Sequence, residues 1–163
     1  MKIAVTGGKG GTGKSTIATS LAVELSKRNK VLLFDADVEC PNDHIILSIK
    51  REKVKDVYQP LPKFNFDKCI KCGLCSKVCR KKAIVFVKGK YPIFLPDVCI
   101  GCSACIISCP VNAIERDKKK IGVIYQGKVQ KNLSFVSGEM VIGQEESSPI
   151  AVSYTHLTLP TKA

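Results

Sequence analysis

The order of apolar and polar residues near the N-terminus predicts a strand, a helix and a second strand. Lys2–Thr6 is a short β-branched run, which is typical of a buried strand. Lys14–Lys27 has apolar residues at the i, i+3, i+4 spacing of an amphipathic helix, and Val31–Phe34 is a second apolar run that ends at Asp35. The apolar helix positions are Ile17, Ala18, Leu21, Ala22 and Leu25. Two strands joined by one helix predict a parallel pair with a right-handed crossover, and therefore an α/β fold.

The pattern changes after the second strand. Residues 44–49 fit either a short helix or a short strand, and Pro60 and Pro62 then mark a boundary. Cysteine, glycine and lysine dominate residues 64–115, and this region is too rich in cysteine to continue the sheet.

Apolar runs return after a charged stretch at residues 116–120. Three short strands are predicted there, with turns at Gln126-Gly127 and Ser137-Gly138. The strands are residues 121–125, 128–130 and 133–136. These runs indicate that the chain returns to the α/β domain.

The cysteine-rich region contains an internal repeat. Residues 66–75 resemble residues 96–105, so the second copy begins 30 residues after the first. Each copy continues to a fourth cysteine, Cys79 or Cys109, and then to an Ala-Ile pair. Two copies of one supersecondary unit predict a small domain with pseudo-two-fold symmetry.

Length and composition exclude several classes of protein. The 163 residues suit one domain, or one domain with a small second one, and 45% apolar with 25% charged residues is ordinary for a globular chain. No window approaches 18 consecutive apolar residues, so no membrane span is predicted. The N-terminus lacks the features of a signal peptide, and we therefore expect a cytoplasmic protein.

The charge is strongly basic and unevenly distributed. The chain has 26 Lys and Arg against 14 Asp and Glu, a formal net charge of +12. Thirteen of the basic residues lie between Lys50 and Lys90, where only three residues are acidic. This stretch fits a solvated lysine-rich surface or a docking face for an acidic partner. Nucleic acid is disfavoured, because the few aromatic residues do not interleave with the lysines.

A glycine-rich segment lies between the first predicted strand and the predicted helix. Residues 8–16 read GKGGTGKST, and a strand before and a helix after are the context of a phosphate-binding P-loop. Backbone N–H groups freed by the glycines point at phosphate oxygens, Lys14 should reach the β- and γ-phosphates of ATP, and the Ser15 hydroxyl should bind Mg²⁺. The predicted nucleotide-binding residues are Gly8, Lys9, Gly10, Gly11, Thr12, Gly13, Lys14, Ser15 and Thr16. A glycine-rich turn before an ordinary helix is the alternative.

The loop resembles the deviant Walker A motif of the MinD/ParA-type ATPases, which include the nitrogenase iron protein and Mrp-type cluster carriers. Lys9 matches the extra lysine of that motif, which in the family reaches across a dimer to the partner's nucleotide. The resemblance implies catalytic roles for Lys9 and Lys14, and an ATP-dependent dimer with a second copy or with a related ATPase. A solvated loop lysine is the alternative for Lys9.

Residues 34–38, Phe-Asp-Ala-Asp-Val, resemble the first switch of the same family. The resemblance implies that Asp37 is catalytic and orients the attacking water, and that Asp35 reaches Mg²⁺ through water. Carboxylates at the carboxyl edge of a parallel sheet also lie where open α/β folds bind ligands. A solvated pair of loop aspartates is the alternative.

Eight of the nine cysteines lie between Cys69 and Cys109. An odd number of cysteines without signs of secretion disfavours a disulfide framework, so metal or cluster binding is the first hypothesis. Both runs have the CxxCxxCxxxC spacing, and together they resemble a bacterial ferredoxin with two [4Fe–4S] clusters. Zinc is the competing hypothesis, although zinc-binding cysteine pairs usually stand much farther apart in sequence.

The ferredoxin resemblance implies that the fourth cysteine of each run binds the cluster of the other run. Cluster one would be bound by Cys69, Cys72, Cys75 and Cys109, and cluster two by Cys99, Cys102, Cys105 and Cys79. Arg80 departs from the family pattern, since proline usually follows the fourth cysteine. Cys40 lies outside both runs and is interpreted as a small apolar residue.

The C-terminal segment Val152–Thr161 reads VSYTHLTLPT, which matches the in-frame translation of a transposase adapter used in short-read sequencing libraries. We therefore expect the natural sequence to stop near Ala151. The second switch and the base-binding segment of the family are missing, so this chain is expected to be an inactive part of a larger ATPase. The expected domains are the start of the ATPase (1–59), an inserted α+β ferredoxin-like domain (60–115), the return to the incomplete parallel-sheet ATPase domain (116–151) and an adapter-derived tail (152–163).

These features together predict an ATP-binding iron–sulfur protein with ATP, Mg²⁺ and two [4Fe–4S] clusters as cofactors. Nucleotide-driven dimerisation would control electron transfer or cluster delivery to an acceptor protein. One alternative is a ferredoxin-type electron carrier with a regulatory nucleotide site. Another is a ParA-like positioning ATPase, for which two clusters would be superfluous.

Overall fold

The computed structural model describes residues 1–142 and 148–154, and these form two compact units. The first unit contains residues 1–57, 122–141 and 148–154, and the second contains residues 58–121 together with Ile142. In chain order the elements are α1 (Lys14–Ser26), β1 (Val31–Asp35), α2 (Asp43–Ile46), β2 (Arg51–Phe64), α3 (Leu74–Val78), β3 (Ile84–Val85), β4 (Ile93–Phe94), a 3₁₀ turn (Pro96–Val98), α4 (Ala104–Ile107), β5 (Ile114–Gln130), β6 (Leu133–Met140) and α5 (Ser148–Tyr154). Residues 155–161 of the adapter-like segment lie outside the described residues.

The first unit has an α/β fold that contains β1, β6 and the parts of β2 and β5 within its residue ranges, and the mixed sheet has the strand order β1-β6-β5-β2. β1 pairs in parallel with β6, with Val31 opposite Leu133 and Asp35 opposite Ser137. β5 and β6 pair antiparallel, because only two residues join them and so short a connection can form only a hairpin. The parallel pairing expected of the ATPase sheet is therefore present in β1 and β6, but the sheet as a whole is mixed.

The predicted first strand, Lys2–Thr6, does not form. The segment has no strand pairing, and the side chains of Met1 and Ile3 are exposed. β1 is the end strand of the sheet and pairs only with β6, and residues 2–6 do not pair with its other edge. The predicted crossover pair is thus replaced by pairing of β1 with a strand about a hundred residues later in the chain.

The predicted helix is confirmed as α1, but its buried face differs from the apolar pattern. Ile17 is 57% exposed, whereas Thr19 and Ser26 are 1% and 2% exposed. The Thr19 hydroxyl donates a hydrogen bond to the Ser15 carbonyl oxygen (2.7 Å), and the Ser26 hydroxyl donates to the Val23 carbonyl oxygen (2.6 Å). Because these hydroxyls are satisfied within the helix, they are buried at little cost.

One buried apolar cluster of the unit lies between α1 and the β1–β6 pair. It contains Ala22, Leu33, Ile49, Leu133 and Phe135.

The turns predicted at Gln126-Gly127 and Ser137-Gly138 do not form, and both pairs lie inside strands. A Cβ at Gly127 would lie 2.5 Å from the Ile49 side chain, and one at Gly122 would lie 2.8 Å from the Glu139 carbonyl oxygen. The glycines in β5 therefore allow close packing and do not reverse the chain.

The boundary predicted at Pro60 and Pro62 is also wrong as an element boundary, because β2 continues through both residues to Phe64. β2 is the last strand in the sheet order, and an edge strand tolerates proline on its unpaired side. The ambiguous segment at 44–49 contains a single helical turn, α2.

The second unit repeats its backbone conformation at an interval of 30 residues. We call residues 64–84 the first copy and residues 94–114 the second copy. Three residues of each copy have left-handed backbone angles, with φ between 49° and 75°. They are Lys71, Gly73 and Lys82 in the first copy and Gly101, Ser103 and Asn112 in the second. The short helices α3 and α4 also occupy equivalent positions, so the sequence repeat is a structural repeat.

The two copies exchange equivalent hydrogen bonds. The Asn65 N–H donates to the Ala113 carbonyl oxygen, and the Leu95 N–H donates to the Ala83 carbonyl oxygen, both at 2.8 Å. Ile84, Cys105 and Ile114 form the buried core of the unit, and both Ala-Ile pairs are buried. This reciprocity is the pseudo-two-fold symmetry that the repeat predicts.

Candidate functional site

The glycine-rich loop at 7–13 leads directly into α1. Gly11 and Gly13 have φ of 74° and 78°, a conformation that costs a residue with a Cβ about 1–2 kcal/mol. Gly13 is the residue before the helix, and its carbonyl oxygen accepts the first helical hydrogen bond, from Ile17 N–H at 3.0 Å. The first N–H groups of α1 therefore remain available to an anion.

The loop leaves open space on the side where phosphates would bind. A Cβ added at any of four loop glycines would meet no atom within 4 Å. These glycines are Gly8, Gly10, Gly11 and Gly13. Lys14 Nζ donates to the Lys9 carbonyl oxygen at 3.0 Å, and Thr12 Oγ1 donates to the same oxygen at 3.2 Å. These bonds hold the ammonium group of Lys14 against the loop backbone. The Lys9 side chain is exposed.

Asp35 and Asp37 follow β1, as the sequence predicts, but their environments differ. Asp35 is 5% exposed, and its carboxylate accepts hydrogen bonds from the N–H groups of Asp37 (3.1 Å) and Asp43 (3.3 Å). Burial is the main cause that raises the pKa of Asp35, and those two hydrogen bonds oppose it. Asp37 is exposed, and its carboxylate accepts a hydrogen bond from the Cys40 N–H at 3.1 Å.

Asp43 is a site residue that the sequence analysis missed. It begins α2, is 4% exposed, and its carboxyl group is hydrogen-bonded to the Ser15 side chain. Burial first, and then the charge of Asp35, raise the pKa of Asp43 to about 6, while the bond to Ser15 opposes the rise. Its position two residues before the apolar run at 45–47 is the sequence signal, since a carboxylate near a helix start is favourable.

The oxygen atoms of Ser15, Asp35 and Asp43 form a suitable donor set for Mg²⁺, which prefers carboxylate and hydroxyl oxygens. They lie beside the open loop, where Mg²⁺ would also contact phosphate. Within residues 1–142 and 148–154, however, no three His, Cys, Asp or Glu side chains form a preformed metal site. Mg²⁺ would therefore bind together with the nucleotide rather than in a cage made by the protein alone.

The eight cysteines of the second unit line two separate cavities, four in each. One cavity is lined by Cys69, Cys72, Cys75 and Cys109, and the other by Cys79, Cys99, Cys102 and Cys105. Each cavity thus has three cysteines from one run and the fourth from the other run. All nine cysteines of the chain are free thiols.

Backbone N–H groups point at several of these sulfur atoms. The Ala83 N–H donates to Cys79 Sγ and the Ala113 N–H donates to Cys109 Sγ, both at 3.2 Å, and the Gly101 N–H donates to Cys99 Sγ at 3.5 Å. Such bonds stabilise a thiolate and are one means by which a protein tunes an iron–sulfur cluster.

Burial raises the pKa values of three cavity thiols. In Cys75, Cys99 and Cys105 burial is the largest cause and the neighbouring thiols add to it, and the pKa of Cys105 rises to about 11. Without a positive group these thiols would remain protonated, so a metal or cluster must displace their protons when it binds.

The two cavities differ in size. The cavity beside Cys99 has a volume of about 280 Å³, whereas the one beside Cys69 has only about 20 Å³. The four thiols and the N–H donors fit a cubane chemically in both cases. Among the described residues, neither group of thiols is preformed as a metal site.

The loop, the helix N-terminus and the carboxylates after β1 define a P-loop nucleotide-binding protein of the α/β class. The chain matches the CobQ/CobB/MinD/ParA nucleotide-binding domain over residues 3–151 and belongs to this family. Among the described residues, no helix combines the length and apolar character needed to cross a bilayer.

Curated relatives support the same assignment. An uncharacterised protein of Methanocaldococcus jannaschii is 40% identical over 92% of this chain and 52% of its own length. An iron–sulfur cluster carrier protein of Aquifex aeolicus is 53% identical over 32% of this chain and 15% of its own. A flagellum site-determining protein of Helicobacter pylori is 48% identical over 31% of this chain and 18% of its own. The chain spans about half the length of two Methanocaldococcus jannaschii relatives that each match 92% of it.

Proposed function

We propose that this chain is part of an ATP-dependent iron–sulfur protein. In this proposal, nucleotide-driven dimerisation controls electron transfer or cluster delivery to an acceptor protein. The observation that carries the proposal is the grouping of the cysteines, four to a cavity with one exchanged between the runs, in a chain that also has a P-loop. The similarity to iron–sulfur cluster carrier proteins supports it.

The second unit would act as an inserted two-cluster ferredoxin module. Cys69, Cys72, Cys75 and Cys109 would hold one [4Fe–4S] cluster, and Cys79, Cys99, Cys102 and Cys105 the other. The clusters would supply one-electron redox chemistry. The protein's part is to exclude water, to donate N–H hydrogen bonds to sulfur and to set the local charge.

The first unit would bind ATP with Mg²⁺. Backbone N–H groups of the loop and the Lys14 ammonium group would hold the phosphates, and Ser15 with Asp35 would orient Mg²⁺. Asp37, exposed at the end of the sheet, would position the attacking water. Lys9 would reach the nucleotide of a second subunit, either a copy of this chain or a related ATPase.

Metal and sulfide analysis tests the cluster assignment. Protein reconstituted anaerobically should contain about eight iron and eight sulfide per chain. Two zinc ions without sulfide would show that the cavities are zinc sites. Cys40→Ser is the matched control, because it removes an exposed cysteine outside both cavities and should leave the iron content unchanged.

Hydrolysis by the full-length protein tests the nucleotide role. ATPase rates that depend on whether the clusters are reduced or oxidised would support coupling. Equal rates would instead favour an electron carrier with a regulatory nucleotide site. Asp37→Ala should bind ATP and accumulate the ATP-bound dimer, seen as a larger species on a sizing column. Rapid hydrolysis by this variant would contradict the role of Asp37.

A further inference from the structure

The repeat of the second unit is symmetric in backbone but not in charge. The first copy carries six cationic side chains, and every one of them is exposed. We call them the cationic face: Lys68, Lys71, Lys77, Arg80, Lys81 and Lys82. The residues 30 positions later are all uncharged: Val98, Gly101, Ile107, Pro110, Val111 and Asn112. The first copy thus has six cationic residues and one acidic residue, whereas the second has one acidic residue and no cationic one.

Lys71 lies over the Tyr91 ring at 4.3 Å, but the backbone path of the repeat does not depend on the six charges. The second copy makes the same left-handed turns, the same short helix and the equivalent hydrogen bonds with uncharged residues at those positions. Six like charges within fifteen residues repel one another, so they disfavour the compact state slightly. A role in binding accounts for a feature that folding does not need.

Three residues of the cationic face border the two cysteine cavities. Lys71 lines the cavity beside Cys69, and Arg80 and Lys81 line the cavity beside Cys99. At the positions equivalent to Arg80 and Lys81, the other cavity is lined by Pro110 and Val111. The positive charge is therefore concentrated where electrons would enter or leave.

We propose that the cationic face is the docking surface for an acidic one-electron carrier protein. This inference rests on the proposed function. On docking, one electron passes from the reduced protein to the partner, so that one is oxidised and the other reduced by one electron, and no atoms are transferred. Opposite charges steer such a pair together and raise the association rate at low ionic strength.

Stopped-flow kinetics with two acceptors of opposite charge test this surface. The reconstituted full chain, reduced with dithionite, is mixed with an acidic flavodoxin or with basic cytochrome c. Reduction of flavodoxin should slow by roughly tenfold as the ionic strength rises, while reduction of cytochrome c should not slow. A rate of flavodoxin reduction that does not change with ionic strength would overturn the proposal.

Charge relocation between the copies is the sharpest variant. Lys77→Ile combined with Ile107→Lys moves one charge to the equivalent position and leaves the net charge unchanged. Lys68→Val with Lys77→Ile removes two charges that line neither cavity. Both variants should reduce the flavodoxin rate at low salt by roughly three- to tenfold. Lys88→Gln with Lys90→Gln removes two exposed charges outside the copies and should have a clearly smaller effect.

Two further outcomes would overturn the docking surface. Equal losses in the Lys88/Lys90 control would assign the effect to overall charge. A short DNA duplex that displaces flavodoxin stoichiometrically, and that no longer binds to the Lys68→Val/Lys77→Ile variant, would assign the surface to nucleic acid. The visible absorbance of the clusters, recorded for each protein, separates the two proposals. Absent clusters refute the proposed function and this inference with it, whereas intact clusters with a salt-independent rate refute the inference alone.

Discussion

Substitution of Asp43 by asparagine should stabilise the first unit at neutral pH and have much less effect in acid. Asp43 is 4% exposed, its carboxyl group lies beside that of Asp35, and its pKa rises to about 6 from the ordinary 3.8. The folded chain binds this proton more tightly than the unfolded chain does. Stability therefore falls as the pH rises from about 3.8 to about 6, and the loss is complete above pH 6.

The size of the effect follows from the two pKa values. The difference between 3.8 and about 6 corresponds to about 3 kcal/mol at 25 °C. Asparagine has a similar shape, can still accept the Ser15 hydrogen bond and carries no charge that burial penalises. Asp43→Asn should therefore raise the free energy of unfolding by about 2–3 kcal/mol at pH 7.5, and by less than about 1 kcal/mol at pH 4.5.

Hydrogen exchange at increasing urea concentrations measures this difference in the nucleotide-free protein under anaerobic conditions. Peptides from α1 and β6 report the first unit separately from the second. Glu39→Gln removes an exposed carboxylate from the same loop and is the matched control, with little expected change at either pH. An equal stability change for Asp43→Asn at both pH values would show that Asp43 does not carry a strongly raised pKa.

Two other predictions separate ATP binding from dimerisation, and steric overlap from backbone strain. In the full-length protein, Lys14→Ala should abolish ATP binding, whereas Lys9→Ala should bind ATP but lose ATP-dependent dimerisation. Calorimetry measures ATP binding, and light scattering measures dimerisation. A Lys9→Ala protein that dimerises normally would refute the dimer in which Lys9 reaches the partner's nucleotide. Gly101→Ala and Gly89→Ala both place alanine at a φ near +75°, but only the former brings a Cβ within 3 Å of another residue. Gly101→Ala should therefore lower the thermal stability of the reconstituted protein by several degrees more than Gly89→Ala, and equal losses would mean that backbone strain alone decides.

Local sequence signals were sufficient for the elements whose physics is local. The P-loop conformation follows from glycines that adopt positive φ before α1. The apolar run at 31–34 was recognisable as the strand β1 because polar residues flank it on both sides. The repeat was equally readable, since two identical cysteine spacings impose the same backbone path.

Pairing and close packing were not readable from the sequence in the same way. Lys2–Thr6 has a strand pattern but forms no pairing, and β1 pairs instead with β6, a strand about a hundred residues later in the chain. Gly127 reads as a turn residue, yet it is required because Ile49 approaches the strand from a distant part of the chain. Ile17 fits the apolar stripe of α1 but is exposed, whereas Thr19 is buried. The burial of Thr19 costs little because its hydroxyl donates a hydrogen bond within the helix.

The candidate site shows the same division. Lys14, Ser15 and Asp35 were predicted because a short motif contains their chemistry, whereas Asp43 acquires its role only through burial against Ser15 and Asp35. The sequence by itself determined the phosphate loop, the two cysteine runs and the excess of positive charge in the first copy. The ferredoxin resemblance already implied the exchange of the fourth cysteine, and the structure groups the cysteines in the same way. Only the tertiary structure decided that Asp43 is buried beside the loop. The physical reason is that proximity between segments far apart in the chain depends on packing and burial, which no local pattern records.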